Sequence, residues 1–191
     1  EIGRLLTEYT RFNSRRTAEL LTPDTYSLTD YHEAARIVDD YNALLADAEQ
    51  VENALPERYH DAYFQLVLHP IVASATLNEL YVTVGTNRLY AAQGRASTND
   101  LAAHARGLFA RDAEITERYH ALGGGKWDHM MSQVHIGYTS WNDPPEDVMP
   151  EVEELDLGNA AEMGVAIEGS ADWWPEAGTE AVLPELDPFG G

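Results

Sequence analysis

The side chains with chemistry to offer are seven histidines and 33 Asp and Glu residues, in a chain without cysteine. Their spacing decides what they can do. His60 and His69 lie too far apart on one helix to share a metal ion. His129 and His135 are six apart and fit no zinc pattern of the HExxH kind, so neither a metal centre nor a cofactor is expected. Asp39-Asp40 and Glu153-Glu154 are adjacent; on a helix such neighbours do not face each other and make no acid and base pair. The lack of cysteine removes disulfides, Cys-type zinc sites and thiol nucleophiles. Gly123-Gly124-Gly125 follows a helical stretch and does not open one, so it reads as a stop signal, not a phosphate loop. No GxSxG elbow is present. No catalytic residue is expected in this chain.

The densest chemistry lies in GKWDHMMSQVHIGYTSWNDPP, residues 125–145. Flat aromatic rings beside amide and imidazole groups suit sugar recognition, with an apolar face to stack on and polar atoms for hydroxyls. The same composition suits a structural clamp, in which Trp and Met plug the end of a domain and the polar groups satisfy loop backbone. On composition alone the clamp is favoured.

The elements that must position this segment are helices. Ile2, Leu5, Leu6, Tyr9 and Phe12 form an apolar stripe that fades near Leu20-Leu21 and ends by Pro23. A second stripe runs from Ala34 through Ile37, Val38, Tyr41, Leu44, Leu45, Ala48 and Val51 to Leu55. It opens near Ser27 to Asp30, with Asp30 and Glu33 placed as a capping box. A third helix starts at Pro56 and runs to about Gln93, apolar on nearly every face from Phe64 to Val84, which predicts a central position. If continuous it spans roughly 57 Å at 1.5 Å per residue, and Pro70 should kink or break it. The fourth begins at Ser97-Thr98-Asn99 and carries Leu101, Ala105, Leu108, Phe109, Ile115, Tyr119 and Leu122 to the glycine stop. Such stripes can be buried only against one another, so the expected fold is all-α: an up-and-down bundle of four or five helices over residues 1–142. Residues 143–191 are expected to be a mostly irregular extension. Within it Met163 to Gly169 alternates as one short strand, entering a β domain whose remainder is absent. The chain opens on Glu1 within an amphipathic pattern and ends on Phe189-Gly190-Gly191, so it is read as a fragment of a larger protein.

The net charge of −21 is uneven: residues 1–126 hold 18 acidic and 12 basic side chains, whereas residues 127–191 hold 15 acidic and none basic. Such a surface repels nucleic acid and anionic membranes, and no run approaches the roughly 20 apolar residues of a membrane span.

Residues 125–145 closely resemble a signature of glycoside hydrolase family 115, the xylan α-1,2-glucuronidases, with Asp128 standing where that signature would have an amide. Tyr9 to Arg16 with Glu19-Leu20-Leu21 is similar to the segment leading into that family's helical domain. Leu68 to Ala73 followed by Asn78 to Tyr81 is similar to its central helix. Met163 to Ser170, Trp174-Pro175, Leu183-Pro184 and Asp187-Pro188 are similar to the entrance of its C-terminal β domain. The resemblance implies a secreted or periplasmic bacterial enzyme that removes glucuronic acid, or its 4-O-methyl ether, from xylan. Its catalytic carboxylates would lie in an upstream (β/α)8 barrel, of which nothing here is part, since a barrel needs about 200 or more residues of its own. The chain would then be a non-catalytic helical domain, with the barrel of the same polypeptide, the enzyme's homodimer contacts and a glucuronoxylan oligosaccharide as partners. Lys126, Trp127, His135, Tyr138 and Trp141 are the residues expected to touch sugar, with Lys126, the chain's one lysine, suited to a uronic acid carboxylate. The alternatives are a helical protein-protein interaction module and a free-standing enzyme.

Overall fold

The computed structural model describes residues 1–140, 144–158, 163–166 and 173–174. It is a helical bundle, as the periodicity predicts. Helix α1 is Ile2–Asn13, α2 is Glu33–Ala54, α3 is the single turn His60–Tyr63, α4 is His69–Ala92 and α5 is Thr98–Gly125. The central element is α4, which packs most extensively on α5 and α2. Two apolar clusters stack along it. One joins Leu5, Tyr41, Leu44, Phe64 and Ile71; the other joins Leu80, Val84, Ala105, Leu108 and Ile136. Leu5, Ile71, Leu80, Val84 and Ile136 have no exposed surface, and each such side chain contributes roughly 1.5–3 kcal/mol by leaving water.

Several boundaries differ from expectation, each for a physical reason. Helix α1 stops at Asn13, and Leu20-Leu21 belong to a separate 3-10 turn, Ala18–Leu20, and its exit. Helix α2 begins at Glu33, after Tyr31 and His32, which both take left-handed backbone angles. Asp30 does not cap it with its side chain. The turn is closed by Ser27 instead, whose Oγ accepts the Asp30 N–H at 2.9 Å while its own N–H donates to Glu33 Oε2 at 2.8 Å. The third stretch is continuous, as expected, and changes helix type along its length instead of breaking at Pro70. A 3-10 turn, Glu57–Tyr59, leads through α3 into a π-helical turn at Phe64–Leu68 and then α4. Pro70 has no N–H to give the carbonyl four residues back, and its ring crowds that carbonyl; the wider turn just before it relieves both. The glycine stop behaves as predicted, with Gly123 and Gly124 at φ +58° and +70°. The single strand expected at 163–169 is instead a two-residue pairing, Val165–Ala166 antiparallel to Trp173–Trp174; residues 167–169 lie outside the described residues.

Gly85 lies close against the chain at Pro23. A Cβ there would stand 2.5 Å from the Pro23 carbonyl oxygen, a backbone atom with little room to retreat. Gly85→Ala is therefore expected to lose roughly 1–2 kcal/mol, overpacking outweighing the gain in helix propensity. Gly107 in α5 has nothing within 4 Å of the same position, so Gly107→Ala should gain about 0.5–1 kcal/mol. Urea unfolding of both variants checks the contrast, and equal gains would contradict the tight fit.

Candidate functional site

The segment after the glycine stop folds back across α4 and α5. Lys126 Nζ lies 4.8 Å from the centre of the Trp127 ring, and Trp127 and Met131 pack on the first apolar cluster. The Met131 N–H donates to His120 Nε2 at 3.2 Å. Ile136 enters the second cluster and is fully buried. The Gly137 N–H donates to the Tyr81 hydroxyl at 3.2 Å, and the Tyr138 hydroxyl donates to the Val134 carbonyl at 3.1 Å. Gly137 is needed for its backbone, at φ +92° with Val148 2.8 Å from where a Cβ would stand.

His135 anchors this segment. Its Nε2 lies 2.8 Å from Asp112 Oδ2, and its Nδ1 lies 3.0 Å from the Gln133 carbonyl oxygen. Both nitrogens thus face acceptors, the arrangement of a protonated imidazole. Burial alone would push its pKa down. The hydrogen bond to Asp112, that carboxylate's charge, the Gln133 carbonyl and Asp147 outweigh this and raise it to about 9. Asp147 braces the loop from the other side, its Oδ1 accepting the N–H groups of His135 and Ile136, each at 2.8 Å.

Asp112, His135 and Asp147 also form the one trio among the described residues whose donor atoms lie close enough to reach a common ion, within 4.8 Å of one another. The two carboxylates approach different ring nitrogens: Asp112 sits 2.8 Å from Nε2, and Asp147 is 3.9 Å from Nδ1. That geometry clamps an imidazolium better than it chelates a metal, which needs an imidazole lone pair and carboxylates converging on one point.

Beside this ion pair is a cleft of about 320 Å³, walled by α4, α5 and the 130–135 loop and lined among others by His69, Thr116, Gln133 and Glu19. His69 stands where the π turn passes into α4. Its ring is wedged edge-on between Phe64, centroids 5.9 Å apart, and Tyr119, at 4.7 Å. Burial lowers its pKa, so at neutral pH it is an uncharged imidazole beside a charged one.

Of the five residues expected to touch sugar, only His135 lines this cleft. Its nitrogens are already engaged within the protein. Lys126 and Trp127 pair with each other, the Tyr138 hydroxyl is used on the loop backbone, and Trp141 lies outside the described residues. Sequence reasoning missed Asp112 and His69. A signal for Asp112 was available: it continues the apolar stripe Ala105, Leu108, Ile115, Tyr119 at spacings of three and four, where a lone carboxylate requires a buried partner.

The strap that follows is held by side-chain amides. Asn87 Oδ1 accepts the Glu153 N–H at 2.8 Å, and its Nδ2 donates to the carbonyls of Glu153 and Thr98, both at 2.9 Å. Asn99 treats Leu155 in the same way, at 2.8 Å and 3.0 Å. Arg88 donates to the Glu151 carbonyl, and Arg106 pairs with Glu154.

No protein-family model matches the chain, and a search of the curated proteins finds no match either.

Proposed function

We propose that this chain is a non-catalytic helical domain of a xylan α-1,2-glucuronidase resembling glycoside hydrolase family 115. It would brace that enzyme's catalytic barrel and its dimer and bear on the rim of a glucuronoxylan site. The observation that carries the reading is the use made of residues 125–140. His135 is committed to Asp112, Gly137 to Tyr81 and Tyr138 to Val134. Those bonds stiffen one face of the bundle, which is what a bracing domain requires, and leave the chemistry to a neighbour. The test is to express the chain with and without the upstream barrel and assay glucuronic acid release from aldouronic oligosaccharides. Activity is expected only in the longer protein, and release by the 191-residue chain alone would overturn the reading.

A protein-protein interaction module is the second reading. It is favoured by Leu66 on the π turn and Tyr59 at the end of the 3-10 turn before α3, which are 67% and 48% exposed. Sedimentation separates the two: a concentration-independent monomer weakens the second.

A further inference from the structure

We propose that the cleft beside the Asp112–His135 pair binds a neutral sugar, one or two pyranose rings in size. It deepens the function proposed above, on which the choice of xylobiose as the first probe rests, but the site itself is argued from the cleft.

Charge narrows the ligand first. No Arg or Lys lines the cleft. Asp112 and His135 neutralise each other at 2.8 Å, and His69 is held neutral by burial. Glu19 is left as the one uncompensated charge of the lining. An anionic ligand, a uronic acid included, meets no cation here and a carboxylate that repels it.

The free polar groups narrow it further. The side chains of His69, Thr116 and Gln133 make no hydrogen bond among the described residues. A neutral imidazole, a hydroxyl and a carboxamide are each donor and acceptor at once. That is the complement of a sugar hydroxyl, which is also both. An organic cation would need acceptors alone, and with the Asp112 charge taken up by His135, Glu19 is the one carboxylate of the lining left to offer it. The rest of the lining includes Pro70, Ile115 and Met131, apolar surface of the kind the C–H face of a pyranose covers. The volume of about 320 Å³ lies at the small end of ligand sites.

The site is also preorganised. Phe64 and Tyr119 fix the His69 ring through its edges and leave both nitrogens unused. The part-buried ion pair holds the loop that forms the opposite wall. The π turn that delivers His69 is a rare local structure found disproportionately at functional sites.

The experiment uses the intact chain, titrated by calorimetry and saturation-transfer NMR with xylobiose, cellobiose, glucuronic acid and glucosamine. Saturable binding of a neutral disaccharide is expected, with neither charged sugar preferred. His69→Phe keeps the ring packing and Thr116→Val keeps the shape. Each should weaken binding about tenfold, the size of one lost hydrogen bond. Thr116→Val serves if His69→Phe does not fold. Absence of saturable neutral-sugar binding, preference for a charged sugar, or binding untouched by a folded variant would each overturn the proposal. If the longer enzyme is active while these titrations fail, the cleft is refuted and the domain assignment stands. Sugar binding with an inactive longer protein does the reverse.

Discussion

Asp112→Asn is expected to lower stability at pH 7 by on the order of 2 kcal/mol and to flatten its dependence on pH in the alkaline range. Asparagine keeps the shape and can still accept from His135 Nε2, so what is lost is the charge. The folded pKa of His135 is raised from 6.5 to about 9. A base whose pKa rises on folding contributes stability that is complete below its unfolded pKa and is lost as pH climbs through the folded one. Wild-type stability should therefore fall between about pH 6.5 and 9, and the variant should lack most of that fall. The figure is an upper one, because the His135 side chain keeps 24% exposure and water screens the pair. His69 acts in the other direction. Its pKa is lowered by burial, so its cost appears as pH drops below the ordinary histidine range. Urea unfolding of both proteins at pH 6, 7.5 and 9 gives the comparison; parallel curves would show that the ion pair does not set the pH dependence.

How much of this was legible in the sequence follows from the range of each interaction. Helical stripes are local, and the chain reports them: Ala34 to Leu55 and Leu101 to Leu122 fall where the structure has α2 and α5. The glycine stop is a property of one backbone site and is equally plain. The π turn was half legible, since Pro70 announces a disturbance but not which form relieves it. The capping of α2 was left among several candidates from Ser27 to Asp30, and three-dimensional closure chooses Ser27 over the Asp30–Glu33 arrangement. The candidate site joins residues 23 apart at Asp112 and His135. No periodicity reports such a pairing, although a carboxylate on an apolar stripe and a histidine in an aromatic loop each ask for a partner. The run at 125–145 was singled out as dense in polar and aromatic residues, and its described part, 125–140, supplies His135 to the candidate site. Its composition favoured a structural clamp but did not say which residues anchor it: Ile136 is buried and His135 half-buried, while Lys126, His129 and Met130 stay exposed.

Asn87→Ala is expected to lose on the order of 3 kcal/mol and to free the strap at 147–155. Asn87 has no exposed surface. In a chain without regular strands in this region, its amide takes the place of a β-neighbour by pairing with both the N–H and the carbonyl of Glu153. Alternate residues of an extended chain present these groups to the same side, which is why Asn99 finds Leu155 two residues on. Alanine at 87 takes the amide partner from the main-chain groups of Glu153 and from the Thr98 carbonyl, and opens a small void. Asn99→Ala, at a part-buried site with two bonds, should cost about 1 kcal/mol. Asn87→Asp separates hydrogen bonding from volume: the carboxylate still accepts from the Glu153 N–H but cannot donate to either carbonyl. It also adds negative charge beside Glu151, Glu153 and Glu154. It should therefore be nearly as harmful as alanine despite filling the space. Limited proteolysis reads the strap directly, since cleavage within 144–158 should be slow in the wild type and fast in both Asn87 variants. If Asn87→Ala keeps wild-type protection there, the amide pairing is not what holds the strap, and the packing of Met149 and Val152 on the second cluster must suffice.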